Sequence, residues 1–374
     1  MLNRMLAGLA AVAALALPLP GSAATPAPAA PTYQPVPGWP TLPNNWLIGD
    51  TAAVVVDHAD HVWILHRPHS LPDATQARSA PPLIEFDTSG KFIRGWGGPG
   101  DGYEWPLNEH SLYVDGQDRV WIGGTFPFGR KLDMKTSDDQ LLVFTADGKF
   151  LRQYGHEGAS GGDADTKNFK EPADIFVDLP RHETYVADGY GNRRIIVIDS
   201  ETGAFKRMWG AFGNTPMDPG LPPGVLSKPA PMDETGDGSP QFGHPHSVAL
   251  SKDGLVYLAD RSNRRVQVFT PAGKYVTQVF INRAGPAQVS AVAVAFSPDP
   301  AQRWLYVADY GNSVVMILDR KTLTEVGRFG SRGTAPGQFQ GLHDIAVDSH
   351  GDIYTTEVAP GARVQKFAMQ PGGR

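Results

Sequence analysis

Short apolar segments recur along most of the chain, separated by polar turns. Val54-Val55-Val56-Asp57, Leu112-Tyr113-Val114-Asp115 and Ile175-Phe176-Val177-Asp178 each run into an acidic residue. Val248-Ala249-Leu250-Ser251, Val294-Ala295-Phe296-Ser297 and Ile345-Ala346-Val347-Asp348 repeat the form. A second strand follows each, as in Val62-Trp63-Ile64-Leu65 or Tyr257-Leu258-Ala259-Asp260. A third reads like Arg194-Ile195-Ile196-Val197-Ile198-Asp199. A fourth follows a Gly-Lys-type turn and ends near Trp-Gly or Phe-Gly. Alternation such as Val266-Gln267-Val268-Phe269 has the period of a strand. Asp57 and Asp348 are 291 residues apart, about 58 per unit over five steps. Four strands repeated six times predict an all-β fold, a six-bladed β-propeller over 38–374. The sixth unit reaches only its third strand, Arg363-Val364-Gln365-Lys366-Phe367. The segment 38–49 is therefore expected to supply its fourth strand and close the ring.

Composition narrows the picture. Gly (42) and Pro (33) suit a turn-rich β protein. Cysteine is absent, which excludes disulfides, thiolate metal sites and cysteine nucleophiles. Residues 1–24 hold one charge, Arg4, then an apolar stretch and the small residues Ser22-Ala23-Ala24. That pattern is a secretory signal peptide and predicts a secreted or periplasmic protein. No other apolar run is long enough to span a bilayer. Residues 25–37 are a Pro/Ala-rich linker, expected to be extended and mobile. Lys+Arg 33 against Asp+Glu 39 gives −6, with no basic patch for nucleic acid. A monomer is expected.

Alignment of the six units exposes a finer pattern. Five residues before each strand-ending Asp or Ser stand Ala52, His110, Ala173, His246, Val292 and His343. Histidine occupies every second unit. For one histidine the ordinary role is to satisfy a backbone carbonyl. Three on alternate blades of a ring point inward about 120° apart and converge. Three neutral imidazoles with a fourth position open match a catalytic zinc site. His58, His61, His156, His182 and His350 fall in turns and are expected in solvent. His244 is expected to support the site or the strand entry, and His66 and His69 have no assigned role.

The starts of first strands and the ends of second strands share one face of the ring. Arg67, Tyr190, Arg261 and Tyr310 follow second strands and are expected around the histidines. Two arginines and a phenol there suit an anionic substrate and a proton transfer. The long connections 156–172 and 211–245 are expected to wall a pocket at the channel mouth. Asp233, Glu234 and Asp237 form an acidic cluster that matches no full calcium motif. Arg193, Arg194, Arg264 and Arg265 are expected to begin third strands or to pair with repeat aspartates.

The units resemble NHL repeats. His66-Arg67, Glu109-His110-Ser111-Leu112, Asp188-Gly189-Tyr190-Gly191-Asn192, His244-Pro245-His246-Ser247, Ala259-Asp260-Arg261 and Leu342-His343-Asp344-Ile345 together resemble the peptidyl-α-hydroxyglycine α-amidating lyase family. The resemblance implies a zinc-dependent carbon–nitrogen lyase that splits a carbinolamide into an amide and glyoxylate. It implies zinc on His110, His246 and His343. It implies Tyr190 as base with Arg67 beside it, Arg261 on the substrate carboxylate, and a structural calcium with Asp344. The implied partner is a small-molecule or peptide substrate bearing a carboxylate. Where the family commonly has Met, two residues before the third histidine, this chain has Gly341.

Two other readings stay open. One is a non-catalytic NHL propeller that binds a peptide, glycan or protein partner. The other is a calcium-dependent lactonase-type propeller, which wants carboxylate and amide oxygens where this chain presents imidazoles.

Overall fold

In a computed structural model, residues 29–126, 137–217 and 235–370 are described. The expected signal peptide, Asp233 and Glu234 lie outside them. Six four-stranded antiparallel sheets form the blades of a propeller. Blade one is β2–β5, starting at Thr51–Val56 and ending at Phe92–Trp96. Blade two is β6–β9, from Glu109–Val114 to Phe150–Gly155, and blade three is β10–β13, from Pro172–Asp178 to Phe205–Trp209. Blade four is β14–β17, from Pro245–Leu250 to Tyr275–Phe280. Blade five is β18–β21, from Ala291–Phe296 to Thr324–Phe329. Blade six joins β22 (Leu342–Val347), β23 (Ile353–Glu357) and β24 (Arg363–Gln370) to β1 (Thr32–Pro35).

Burial peaks at the second strands and falls toward the rim. Second strands are buried along their length, Trp304 apart, as in Val62–His66, because neighbouring blades cover both faces. Fourth strands are half-exposed, as in Thr324–Phe329. The strand-ending acids have a fixed task. Asp57 and Asp115 accept the indole N–H of Trp63 (2.8 Å) and Trp121 (2.9 Å), and Asp348 accepts the hydroxyl of Tyr354 (2.9 Å). Each acid thus ties the first strand to the second. In the Gly-Lys turn, Gly148 has φ +83° and a Cβ there would lie 2.8 Å from the Trp96 ring. The turn needs glycine both for its left-handed backbone and for the aromatic ring beneath it.

The ring closes differently from the sequence expectation. The fourth strand of blade six is Thr32–Pro35, inside the segment read as a linker, and it pairs with Phe367–Gln370. Tyr33 packs on Phe329 with ring centroids 4.9 Å apart and donates to the Tyr306 hydroxyl at 2.6 Å. Residues 38–49 instead fill the space between blades six and one. Trp39 is buried there, with its ring 4.9 Å from Tyr354 and 6.0 Å from Phe86.

First strands line the axis, each packed against the first strands of both neighbouring blades. Every first strand carries a β-bulge at the same repeat position. The register shifts span Ala52, His110, Ala173, His246, Val292 and His343. A bulge leaves its residue out of the ladder and re-aims its side chain. Two consecutive residues, such as His343 and Asp344, can then both face the channel.

Candidate metal centre

The bulges bring His110, His246 and His343 together. One ring nitrogen of each lies within 4.8 Å of the others. Ring centroids are 4.8 to 5.1 Å apart. All three rings are buried. The Nδ1 of His110 donates to the Ala173 carbonyl (2.9 Å), that of His246 to Val292 (2.7 Å) and that of His343 to Ala52 (2.7 Å). The acceptors are the bulged residues of the next blades, whose carbonyls the bulge frees from the ladder. A carbonyl only accepts, so Nδ1 carries the proton and Nε2 keeps its lone pair. That is the tautomer of a metal-ligating imidazole whose outer nitrogen is held by the protein.

Electrostatics keep these rings neutral. Burial, then His343 and Arg67, hold His110 well below the usual imidazole range. Burial, His343 and His110 do the same to His246. Burial and Arg67 bring His343 down to about 3. Neutral imidazoles are the ligating form, so the donor set fits a zinc ion.

Arg67, Tyr190, Arg261 and Tyr310 all line one cavity of about 370 Å³ at the mouth, together with His343 and Asp50. The Tyr190 hydroxyl lies 2.9 Å from His110 Nε2 and 3.1 Å from His246 Nε2. It holds one proton and donates to one of them at a time. Burial raises its pKa, and Arg261 and Arg67 oppose that rise. Arg67 is anchored by Nε, which donates to the Glu109 carbonyl at 2.8 Å. Arg261 stacks on Tyr310, 4.7 Å from ring centroid to guanidinium carbon, and its buried Nε has no partner. Gly341 has φ +99°, and a Cβ would lie 2.4 Å from the Val358 carbonyl. The position that carries Met in the lyase family is here a tight backbone crossing without room for a side chain.

One layer deeper, Asp344 accepts the amides of Val54 (2.9 Å) and Ile345 (2.8 Å). Asp174, across the channel, accepts those of Val248 (2.9 Å) and Ile175 (2.8 Å). Both are half-buried in the narrow axial channel, and desolvation there raises both pKa values. Asp174 adds to the rise at Asp344. The pair shares a small axial cavity of about 10 Å³ with the histidines and with Ser111 and Ser247. Two half-buried carboxylates at the axis, without a cationic partner among the described residues, fit a divalent cation of the calcium kind. Asp174 was missed from the sequence. It follows the bulge position in blade three as Asp344 does in blade six, and comparison of that second column would have found it.

Several expectations change. His61 is half-buried and bonds Glu85 at 2.7 Å. Asp57, His61 and Glu85 form a second cluster of metal-capable groups, but Arg94 already pairs with Glu85 at 2.6 Å. His66 is structural: Nε2 donates to the Pro81 carbonyl (3.0 Å) and Nδ1 accepts from the Gly49 amide (3.2 Å). His66 takes the place that Asp188 and Asp260 hold at the ends of their second strands. Those two acids are paired with buried Arg194 (2.8 Å) and Arg265 (3.0 Å), as expected. His244 is buried edge-on to Tyr190, ring centroids 4.2 Å apart. Among the described residues neither long connection lines the mouth cavity; its walls are the ends of second strands and the starts of first strands.

Comparison with known proteins agrees at the level of fold. Residues 242–269 match the NHL repeat model. The chain is 26% identical over 343 residues to NHL repeat-containing protein 3 of Mus musculus, covering 88% of this chain and 82% of that protein. It is 28% identical over 211 residues to peptidyl-glycine alpha-amidating monooxygenase B of Xenopus laevis, covering 55% of this chain and 21% of that protein. The match thus spans about a fifth of that relative. A streptogramin B lyase structure superposes with a TM-score of 0.51 at 12% identity, covering 91% of this chain and 98% of that one, a likeness of fold alone. The chain is a six-bladed β-propeller that carries an NHL repeat.

Proposed function

We propose that this protein is an exported, metal-dependent carbon–nitrogen lyase. Its substrate is an N-acyl-α-hydroxyglycine, and its products are a primary amide and glyoxylate. One observation carries the reading: three Nε2 lone pairs converge beneath a pocket that holds two arginines and a buried phenol. The partial match to an amidating monooxygenase supports it.

His110, His246 and His343 would hold a zinc ion, which supplies Lewis acidity toward the substrate hydroxyl. Arg261, in the wall of the mouth cavity, binds the substrate carboxylate. Tyr190 takes the hydroxyl proton. The electron pair left on oxygen closes the carbonyl of glyoxylate as the C–N bond breaks. The departing amide nitrogen regains one proton, so the step balances as an elimination. Burial disfavours the phenolate that this transfer needs, and Arg261 and Arg67 offset part of that cost. Asp174 and Asp344 would hold a second cation, whose role would be structural, since the two acids stand on blades three and six.

Protein purified without added metal should contain about one zinc per chain and release glyoxylate from α-hydroxyhippurate. Loss of both, with the propeller intact by circular dichroism, overturns the reading. The non-catalytic alternative draws on the longer match to NHL repeat-containing protein 3. It requires that Tyr190→Phe leave function unchanged.

A further inference from the structure

Asp50 stands in the wall of the mouth cavity among Arg67, Arg261, Tyr190 and Tyr310, and the lyase step gives it no task. It immediately precedes the first strand of blade one, and the turn that carries Arg67 fixes its backbone. Its amide donates to Ser70 Oγ at 2.7 Å, and its carbonyl accepts the Arg67 amide at 2.8 Å. Ser70 Oγ in turn donates to the Arg67 carbonyl at 2.7 Å. At Gly49 a Cβ would lie 2.5 Å from that same carbonyl oxygen, so the two segments cross without slack. The Asp50 side chain keeps 20% of its surface open, and its Oδ2 stands 4.0 Å from Arg67 Nη1. At that distance the two charges attract without sharing a hydrogen bond.

The wall thus holds two guanidinium groups, two phenols and, among its described residues, one carboxylate. A substrate with its carboxylate on Arg261 and its hydroxyl at the histidines has its acyl group left to place. An acyl group that ends in hydrocarbon offers Asp50 no donor and takes water from it. A cationic end would meet Arg67 and Arg261 in the same space. A neutral N–H donor meets neither objection. Arg67, beside Asp50, has donors for a carbonyl oxygen.

We propose that Asp50 selects a carbamoyl group, so that the preferred substrate is N-carbamoyl-α-hydroxyglycine, a small ureido acid. Its terminal NH2 donates to Asp50. The reaction is the same elimination: the hydroxyl proton goes to Tyr190 and the C–N bond breaks. The electron pair of that bond stays on nitrogen, which takes up a proton, and urea leaves with glyoxylate. Urea and glyoxylic acid together hold the atoms of the substrate, so no co-reactant is needed. The orientation of the substrate rests on the lyase reading, but the preference of the cavity can be measured without catalysis.

The test uses N-carbamoylglycine and N-acetylglycine, stable probes of nearly the same size and shape that differ by NH2 against CH3. Calorimetric titration of the zinc-loaded protein should show about tenfold tighter binding of N-carbamoylglycine, the scale of one hydrogen bond to a charged acceptor. Asp50→Ala should bring that ratio to about two or less. Asp50→Asn, which keeps the shape and loses the charge, should also lower it and decides the matter if the alanine variant does not fold. If Asp50 serves only to hold Arg67, its replacement weakens both probes in parallel and the ratio stays as in wild type. That result, or a wild-type ratio of one or below, overturns the selection. Glyoxylate release above the uncatalysed rate is scored separately with the α-hydroxylated forms. Release from the acetyl compound with equal probe affinities keeps the lyase reading and removes the carbamoyl preference. A tenfold probe preference without glyoxylate from either compound removes the lyase reading and leaves Asp50 as the group that selects the ligand.

Discussion

Blades two, four and six present His110, His246 and His343 to the axis, while blades one, three and five present Ala52, Ala173 and Val292 from the same bulge. The backbone is alike in both sets, but the contributions differ. One set gives an imidazole, the other a main-chain carbonyl that orients the imidazole of its neighbour. The capacity to ligate therefore belongs to pairs of blades. One layer deeper the symmetry changes, with carboxylates only on blades three and six. A sixfold scaffold thus stacks a threefold nitrogen site on a twofold oxygen site.

The sharpest way to break this comparison is to exchange the two kinds of contribution. His246→Ala should reduce bound zinc from about one per chain to near zero and slow glyoxylate release by about 10³-fold. Val292→Ala removes only a side chain and leaves the carbonyl, so elemental analysis should find its zinc unchanged. Equal zinc loss in both variants would mean that the side chains of the two sets are not distinct in role. Tyr190→Phe should keep the metal and still lose about 10²- to 10⁴-fold in rate. A variant within twofold of wild type would remove Tyr190 from proton transfer.

Blade one sharpens the comparison differently, since His66 stands where blades three to six have an acid. Burial brings its pKa down to about 4, against an ordinary value near 6.5. Between those values the unfolded chain binds a proton that the folded chain refuses. Stability is therefore full above about pH 6.5 and falls as pH drops toward 4, by about 3 kcal/mol from this residue. Urea unfolding across that range should show a shallower fall for His66→Gln; parallel curves would refute the assignment. The smallest effect is expected in the deeper layer. Asp174→Asn relieves repulsion with Asp344. It should raise the melting temperature of metal-free protein by about 2–4 °C and abolish any further rise on adding calcium. A calcium-dependent rise as large as in wild type would show that Asp174 is not a ligand.

The repeat was legible because its core strands bury both faces and so carry dense apolar runs. The closing strand was not, because Thr32-Tyr33-Gln34-Pro35 is a half-exposed edge with no apolar run. Residues 38–49 misled through Trp39, Trp46 and Ile48, which are apolar because they pack between blades six and one. The histidine column was legible, since alternate units differ by residue type. The second facing column was not, because it exists only through the bulge. Strict strand alternation sends Asp174 and Asp344 to the opposite side from their neighbours. The buried role of His66 depends on loops that no periodicity describes.

The pairing of Thr32 with Gln370 sets an order on biogenesis. The first strand of the fold must wait for the last, so no growing chain can seal its ring before synthesis is nearly complete. The donors are spread over the same span, and His343 is the last of them to be made. Until then a nascent chain has at most two of the three imidazoles of the site. On the zinc reading, full coordination would be a property of the finished molecule, and metal capture would act as a late check that every blade is in place.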